Sequence, residues 1–148
     1  MSNYKQILYH IVFSTKKRTP SLTNHHRKDL YRYIWGIIKN KKAFLYRING
    51  TTDHIHILSD LPTNLALADF IRDIKVASSI WMKQSGLFPY FNGWEVGYGA
   101  FTCDYRIKDR LIDYIKNQEK HHVKTSFQEE YSNLLKEYNV TVDGRFFP

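Results

Sequence analysis

The sequence has little of several residue types, and each shortage excludes a class of protein. One cysteine in 148 residues, Cys103, excludes an internal disulfide framework and a zinc site built from several cysteines. Seven glycines and four prolines, with no repeat and no low-complexity tract, argue against disordered linkers. No apolar run approaches the roughly 20 residues that a membrane helix needs, and residues 1–6 are too polar to begin a signal peptide. We therefore expect a single domain over residues 1–148 that is soluble and cytoplasmic, with no membrane partner.

Acidic residues are almost absent from the first third of the chain. Residues 1–50 hold 11 basic residues and one acidic residue, Asp29, whereas residues 51–148 hold 11 basic and 13 acidic residues. The whole excess behind the net charge of +8 is therefore N-terminal. Such a skew suits a phosphate-rich partner or an anionic membrane surface better than a small neutral substrate, and a solvated basic face is the alternative that charge alone leaves open.

Apolar and aromatic patterning predicts four strands and four helices. The strands are expected at residues 4–14, 43–48, 53–59 and 96–102. The helices are expected at about residues 23–39, 64–84 and 107–121, with a further short helix in the C-terminal tail. The dipeptide Asn49-Gly50 is typical of the tight turn in a hairpin, here between the second and third strands.

The order of these elements indicates an α+β fold. The first six match the ferredoxin-like, or RRM-like, βαββαβ sandwich, in which strands one and three occupy the centre of the sheet. A C-terminal helix with candidate catalytic residues follows. Residues 123–148 are expected to form an extension packed on the domain.

Two histidines alternate with isoleucines in the third strand. Because side chains alternate across a strand that rises about 3.3 Å per residue, His54 and His56 should project from one face, about 6 to 7 Å apart. Ile55 and Ile57 should enter the core on the other face. Two imidazoles at that spacing can share one divalent metal ion. Two polar residues on an open sheet face would show the same pattern, so the pair alone leaves both readings open.

The third helix places a tyrosine one turn before a glutamine. Tyr114 and Gln118 are four residues apart and therefore share a helix face. A phenol and a carboxamide in that arrangement could present a nucleophile and an oxygen ligand to one centre. A half-buried tyrosine beside a solvated glutamine is the alternative.

Four segments carry a resemblance to a known family. They are residues 9–16, residues 53–56, residues 94–101, and Tyr114-Ile115 with Gln118, His121 and His122. Together they resemble the IS200/IS605-type single-tyrosine transposases of the HUH endonuclease superfamily, which is named for a His-hydrophobic-His motif. The resemblance spans about residues 4–122, with the motifs in the family's order.

This resemblance implies a specific chemistry. His54, His56 and Gln118 would bind Mg²⁺ or Mn²⁺, and Tyr114 would attack DNA to form a 5′-phosphotyrosine, with no nucleotide cofactor. The substrate would be single-stranded DNA with a hairpin near each transposon end. Family members work as homodimers with shared active sites, so a homodimer is expected here.

Contacts with the DNA backbone are expected from basic residues, mostly in the first third of the chain. The candidates are Lys16, Lys17, Arg18, Arg27, Lys28, Lys39, Lys41 and Lys42, with Lys75 on the second helix and His121 and His122 near the end of the third. Such residues can contact phosphates without reading sequence. Three tyrosines are candidates for stacking on unpaired bases: Tyr31, Tyr46 and Tyr105.

Two other functions are compatible with the same sequence. A ferredoxin-like sheet with aromatic residues also serves non-catalytic modules that bind single-stranded nucleic acid. A related or domesticated HUH nuclease, acting on palindromic repeats or replication origins, would share the chemistry but not the biological task.

Overall fold

The structure, a computed structural model, describes residues 2–122 and 125–138. Four strands form an antiparallel sheet in the order β2-β3-β1-β4: β1 (Leu8–Ser14), β2 (Leu45–Gly50), β3 (His54–Asp60) and β4 (Gly99–Cys103). In these described ranges the α-helices are α1 (Arg27–Asn40), α2 (Leu67–Ser85), α3 (Lys108–Lys116), α4 (Gln118–His121) and α5 (Phe127–Glu137). The α+β fold class is confirmed, and β1 and β3 do occupy the centre of the sheet.

The main core lies between one face of the sheet and helices α1 and α2. Alternate residues of the central strands, such as Ile11 and Ile57, are completely or almost completely buried in it. Helix α1 contributes Leu30 and Ile34, one turn apart, and α2 contributes Phe70. Burying apolar side chains of this size stabilises a fold by about 1.5 to 3 kcal/mol each, so this layer fixes the position of β3.

The opposite face of the sheet is covered as well. Val12 of β1 and Phe101 of β4 form a second, smaller cluster with Phe127, Leu134 and Leu135 of α5. Gly99 allows this close packing, because a Cβ atom there would lie 2.7 Å from a ring carbon of Tyr131. The second face is therefore a buried layer under the C-terminal helix.

The hairpin between β2 and β3 turns later than the Asn49-Gly50 dipeptide predicts. Gly50 is the last residue of β2 and pairs with Ile55, and the turn lies at residues 51–53. A Cβ atom on Gly50 would collide with the carbonyl oxygen of His54. Glycine is needed here because two strands approach each other closely rather than because the chain reverses.

The helix predicted over residues 107–121 is divided at Asn117. Helix α3 ends at Lys116 and α4 begins at Gln118, with Asn117 at φ −98° and ψ 20°. The side chain of Asn49 in β2 donates hydrogen bonds to the carbonyl oxygens of Ile115 (3.1 Å) and Lys116 (2.9 Å). These bonds satisfy carbonyls that a helix end leaves without intrahelical partners, so the sheet itself stabilises the break.

Smaller differences concern the ends of elements. β1 and β4 begin at Leu8 and Gly99, three to four residues later than expected. Residues 123, 124 and 139–148, which belong to the predicted extension, lie outside the described residues. Across the part of the chain that the structure describes, no helix has the length and apolar character needed to cross a bilayer.

Candidate active site

The two histidines of β3 lie on the same face of the sheet, opposite the main core. His54 and His56 are both fully buried, whereas an open sheet face was one of the readings of the sequence. They are buried because α3, α4 and α5 cover this face. The ring of Phe127 stacks on His54 with a centroid separation of 4.3 Å.

A carboxylate from α5 lies between the imidazoles. Oε1 of Glu130 is 2.9 Å from Nε2 of His56, 3.0 Å from Nε2 of His122 and 3.3 Å from Nε2 of His54. Glu130 is only 2% exposed. Sequence reasoning missed this residue, although one signal was available: position 130 shares a helix face with the apolar Phe127 and Leu134, where a carboxylate needs a partner.

Tyr114 and Gln118 reach the same point despite the break between α3 and α4. The hydroxyl of Tyr114 donates a hydrogen bond to Oε2 of Glu130. The amide nitrogen of Gln118 donates to the same oxygen at 3.1 Å, and its Oε1 lies 3.3 Å from Nε2 of His54. The four residues singled out from the sequence, His54, His56, Tyr114 and Gln118, therefore converge around one carboxylate.

Outer partners fix the orientation of both β3 imidazoles. Nδ1 of His54 lies 2.8 Å from Oδ1 of Asp53 and 3.0 Å from Oγ1 of Thr51. Nδ1 of His56 lies 2.8 Å from Nε2 of His10 on the neighbouring strand. With Nδ1 engaged, each ring directs Nε2 toward the centre, which is how metal-binding histidines are usually held.

Burial and neighbouring charges set the protonation states. Burial lowers the pKa of His10 to about 3 and that of His56 to about 4, so both rings are neutral at pH 7. Burial would raise the pKa of Glu130, but hydrogen bonds from His122, His54 and His56 outweigh it and hold that pKa well below its usual range. Burial, together with the charge of Glu130, raises the pKa of Tyr114. The site is thus a carboxylate among imidazoles with a protonated phenol beside it.

The donor set fits a divalent metal ion. One ligand atom each from His54, His56, His122 and Glu130 can be chosen so that all four lie within 4.8 Å of one another. Imidazole nitrogen and carboxylate oxygen are ligands that divalent cations accept in proteins. The amide oxygen of Gln118 lies at the same centre.

His122 belongs to this cluster rather than to the surface on which the sequence suggested a phosphate contact. Its side chain is 11% exposed and its ring centroid lies 4.5 Å from that of His54. The side chain of His121 lies outside the described part of the structure.

The basic residues proposed to hold DNA divide into two groups. Lys16, Lys17, Lys28, Lys39 and Lys42 are exposed, and Arg18 is partly exposed. The other three are engaged within the protein: Arg27 is buried and pairs with Glu119 at 2.8 Å, Lys41 pairs with Asp73 at 2.6 Å, and Lys75 donates to the carbonyl oxygens of Glu95 and Gly97. The pair with Glu119 joins α1 to α4, and the Arg27 guanidinium also donates to the carbonyl oxygen of Leu22 at 3.0 Å.

The candidates for base stacking lie in different environments. The Tyr31 hydroxyl is buried, close to the Arg27 guanidinium. Tyr46 and Tyr105 flank Lys108, whose Nζ lies 5.5 Å and 4.3 Å from their respective ring centroids. Tyr46 and Tyr105 therefore present aromatic rings together with a positive charge at one place.

Comparison with known proteins links this chain to one family. The family described as "Transposase IS200 like" matches residues 3–118. The chain is 29% identical over 115 residues to the IS200 insertion-element transposases of Salmonella typhimurium strain LT2 and Salmonella typhi, covering 74% of this chain and 75% of each relative.

Two solved structures share the fold. One is a crystal structure of a Deinococcus radiodurans R1 protein assigned as a transposase, with a TM-score of 0.62 and 22% identity over 80% of this chain and 95% of that one. The other is a REP-associated tyrosine transposase bound to a REP hairpin, with a TM-score of 0.61 and 17% identity over 82% of this chain and 74% of that one.

Proposed function

This chain belongs to the family of IS200-like transposases, which matches residues 3–118, and we propose that it cleaves and rejoins single-stranded DNA through a covalent bond to Tyr114. The observation that carries the proposal is the meeting of the Tyr114 hydroxyl with His54, His56 and Gln118 around one buried carboxylate. A nucleic-acid-binding module without catalysis has no need of a tyrosine beside a set of metal-binding side chains.

The proposed reaction is a phosphoryl transfer without net hydrolysis. Oη of Tyr114 attacks the scissile phosphorus and loses its proton, while the bond from phosphorus to the 3′ oxygen breaks and that oxygen gains a proton. The product is a 5′-phosphotyrosine and a free 3′ hydroxyl. Because the phosphoester bond is conserved, a 3′ hydroxyl from another strand can reverse the step and join DNA without a nucleotide cofactor.

The protein supplies position and charge for this step. A divalent ion, Mg²⁺ or Mn²⁺, held by His54, His56 and Gln118 would polarise the scissile phosphate and stabilise the leaving oxygen. Asp53 and His10 orient the two imidazoles through their Nδ1 atoms. Helix α3 supplies Tyr114, and the break at Asn117 brings Gln118 to the same point.

The proposed partner is DNA with a hairpin near each transposon end. The relative bound to a REP hairpin supports a hairpin substrate, and the exposed lysines offer phosphate contacts. We also propose a homodimer in the cytoplasm. In a single chain Tyr114 lies beside its own histidines, so a dimer with shared active sites would have to exchange the C-terminal helices between subunits.

The second candidate is a related enzyme that acts on palindromic repeats rather than on a transposon's own ends. The REP-associated tyrosine transposase favours it, because that structural neighbour is bound to a REP hairpin and has a similar fold. The chemistry at Tyr114 would be identical. Cleavage tests with hairpins from the flanks of the gene and from dispersed genomic palindromes would separate the two functions.

The experiment that tests the proposal is capture of the covalent intermediate. The protein is incubated with Mn²⁺ and single-stranded hairpin DNA labelled at its 3′ end, since the downstream fragment is the one that stays on the tyrosine. We expect a labelled adduct that survives denaturing electrophoresis in the wild type and in Tyr90→Phe, an exposed loop tyrosine, but not in Tyr114→Phe. An equal adduct in Tyr114→Phe would overturn the assignment.

A further inference from the structure

The centre of the active site is completed by two residues that the sequence did not assign to the metal site. Glu130 and His122 follow the predicted catalytic helix, and Glu130 lies 74 residues beyond His56. They are nonetheless in hydrogen-bonding contact with each other at 3.0 Å. Glu130 also contacts both β3 histidines, and the ring of His122 packs against that of His54. The C-terminal part of the chain therefore contributes directly to the site.

The separations around Glu130 match those between ligands of one ion. Three imidazole nitrogens lie 2.9 to 3.3 Å from its Oε1 atom. Neighbouring ligands bonded at about 2.1 Å to an octahedral ion are about 3.0 Å apart, and the tetrahedral case gives about 3.4 Å. The side chains therefore need only small displacements to admit an ion among them.

The position of Glu130 depends on the docking of α5. Phe127 of this helix stacks on His54, and Leu134 and Leu135 pack with Val12 on the same face of the sheet. Ser126 begins the helix by accepting a hydrogen bond from the backbone of Glu129. A helix held along its length in this way presents its carboxylate at a fixed place.

We propose that Glu130 is an additional metal ligand, so that ion binding and docking of α5 are coupled. Oε1 faces the imidazoles and binds the ion, while Oε2 accepts the hydrogen bond of the Tyr114 hydroxyl and holds the nucleophile next to it. This inference rests on the proposed function, because it adds to the ligand set of the same site. The ion bound there would be a divalent cation that accepts both nitrogen and oxygen donors, such as Mn²⁺.

The test is a calorimetric titration of the metal-stripped, full-length protein with Mn²⁺ in the absence of DNA. Glu130→Gln keeps the shape of the side chain and removes its charge, and Glu129→Gln makes the same change at the exposed neighbouring position. We expect Glu130→Gln to weaken Mn²⁺ binding at least about tenfold and Glu129→Gln to change it less than about twofold. Binding by Glu130→Gln that equals or exceeds the wild type would overturn the proposal and make Glu130 an occupant of the ion's place.

A second readout reports the coupling itself. Hydrogen exchange at the backbone amides of residues 127–137 should slow when Mn²⁺ is added to the wild type and to Glu129→Gln. It should be unchanged by Mn²⁺ in Glu130→Gln, whose folding is verified by circular dichroism. Equal slowing in Glu130→Gln would contradict the coupling.

His56→Ala distinguishes failure of this inference from failure of the proposed function. If His56→Ala loses both Mn²⁺ binding and the DNA adduct while Glu130→Gln retains both, the proposed function stands and the role of Glu130 is refuted. If the wild type forms the DNA adduct equally well with and without a metal chelator, the metal part of the proposed function is refuted.

Discussion

Nε2 of His10 lies 2.8 Å from Nδ1 of His56, and both rings are completely buried. In the metal-free site Nε2 of His56 donates to the Glu130 carboxylate, so Nδ1 of this neutral ring accepts the hydrogen bond from Nε2 of His10. If Nε2 of His56 bound an ion, the proton would lie on Nδ1 and the same contact would run in the opposite direction, so His10 can hold the His56 ring in place in both states. It is a positioning residue, since it acts on the site through its neighbour.

Replacing His10 by phenylalanine tests this relationship. His10→Phe keeps a ring of similar size and leaves Nδ1 of His56 without a partner, so Mn²⁺ affinity should fall about 10- to 100-fold. The buried unpaired nitrogen should also cost about 1 to 3 kcal/mol of unfolding free energy. Calorimetry and urea unfolding measure the two effects, with the exposed His25→Asn as the matched control. Unaltered affinity in a folded His10→Phe would refute the positioning role.

The buried histidines also predict how stability depends on pH. The pKa values of His10 and His56 are lowered by burial to about 3 and about 4, whereas each takes up a proton near pH 6.5 in the unfolded chain. Between pH 6.5 and 4 the unfolded state therefore binds more protons, and the unfolding free energy falls as the pH falls, by up to about 1.4 kcal/mol per pH unit for each ring.

Comparison of variants isolates this contribution. His54 acts in the opposite sense, because bonds to Asp53 and Glu130 outweigh burial and raise its pKa. The informative quantity is therefore the slope of the unfolding free energy against pH, compared between wild type and His10→Phe. Urea unfolding from pH 7 to 4.5 without metal measures it. We expect a shallower slope in His10→Phe, and a slope equal to or steeper than the wild type would contradict the account.

Salt dependence tests the proposed DNA surface. Lys16 and Lys17 follow β1 at the same end of the sheet as Asp53, whose carbonyl oxygen accepts a hydrogen bond from the backbone of Thr15. If both lysines contact phosphates, the double variant Lys16→Gln/Lys17→Gln should reduce the slope of log affinity against log salt by about 1.4 for single-stranded DNA.

Lys83→Gln, at an exposed position near the end of α2, serves as the control for charge alone. Its slope should equal that of the wild type in filter-binding or anisotropy titrations between 50 and 200 mM salt. A double variant that behaves like Lys83→Gln would remove Lys16 and Lys17 from the proposed footprint.

Local patterns predicted much of the fold and part of the site. The alternation in β3 placed His54 and His56 on one face because the strand repeat of two residues depends on nothing distant. The spacing of Tyr114 and Gln118 brought them to one centre, although the helix is broken between them. Gly50 was misread because an Asn-Gly dipeptide is typical of turns, while here the close approach of two strands requires it.

Glu130 could not be placed from the sequence because its role depends on long-range packing. The short sequence between α4 and α5 carries no pattern that predicts where α5 will pack. The carboxylate of Glu130 reaches the imidazoles only when Phe127 and Leu134 pack on the sheet. The burial of Arg27 has the same origin, since its partner Glu119 lies 92 residues away. Pairings of this kind are visible only in the folded chain.

The most direct test of the central claim is to locate the bond to DNA. The protein is incubated with single-stranded hairpin DNA and Mn²⁺, digested with nuclease and trypsin, and analysed by mass spectrometry. Trypsin cuts after Arg110 and Lys116, so Tyr114 lies in a peptide of residues 111–116 that contains no other tyrosine. We predict that this peptide carries a nucleotide joined through its 5′ phosphate to Tyr114, and that a metal chelator prevents the formation of this adduct. A nucleotide found on another peptide, or no covalent nucleotide in a reaction that cleaves the DNA, would contradict the account.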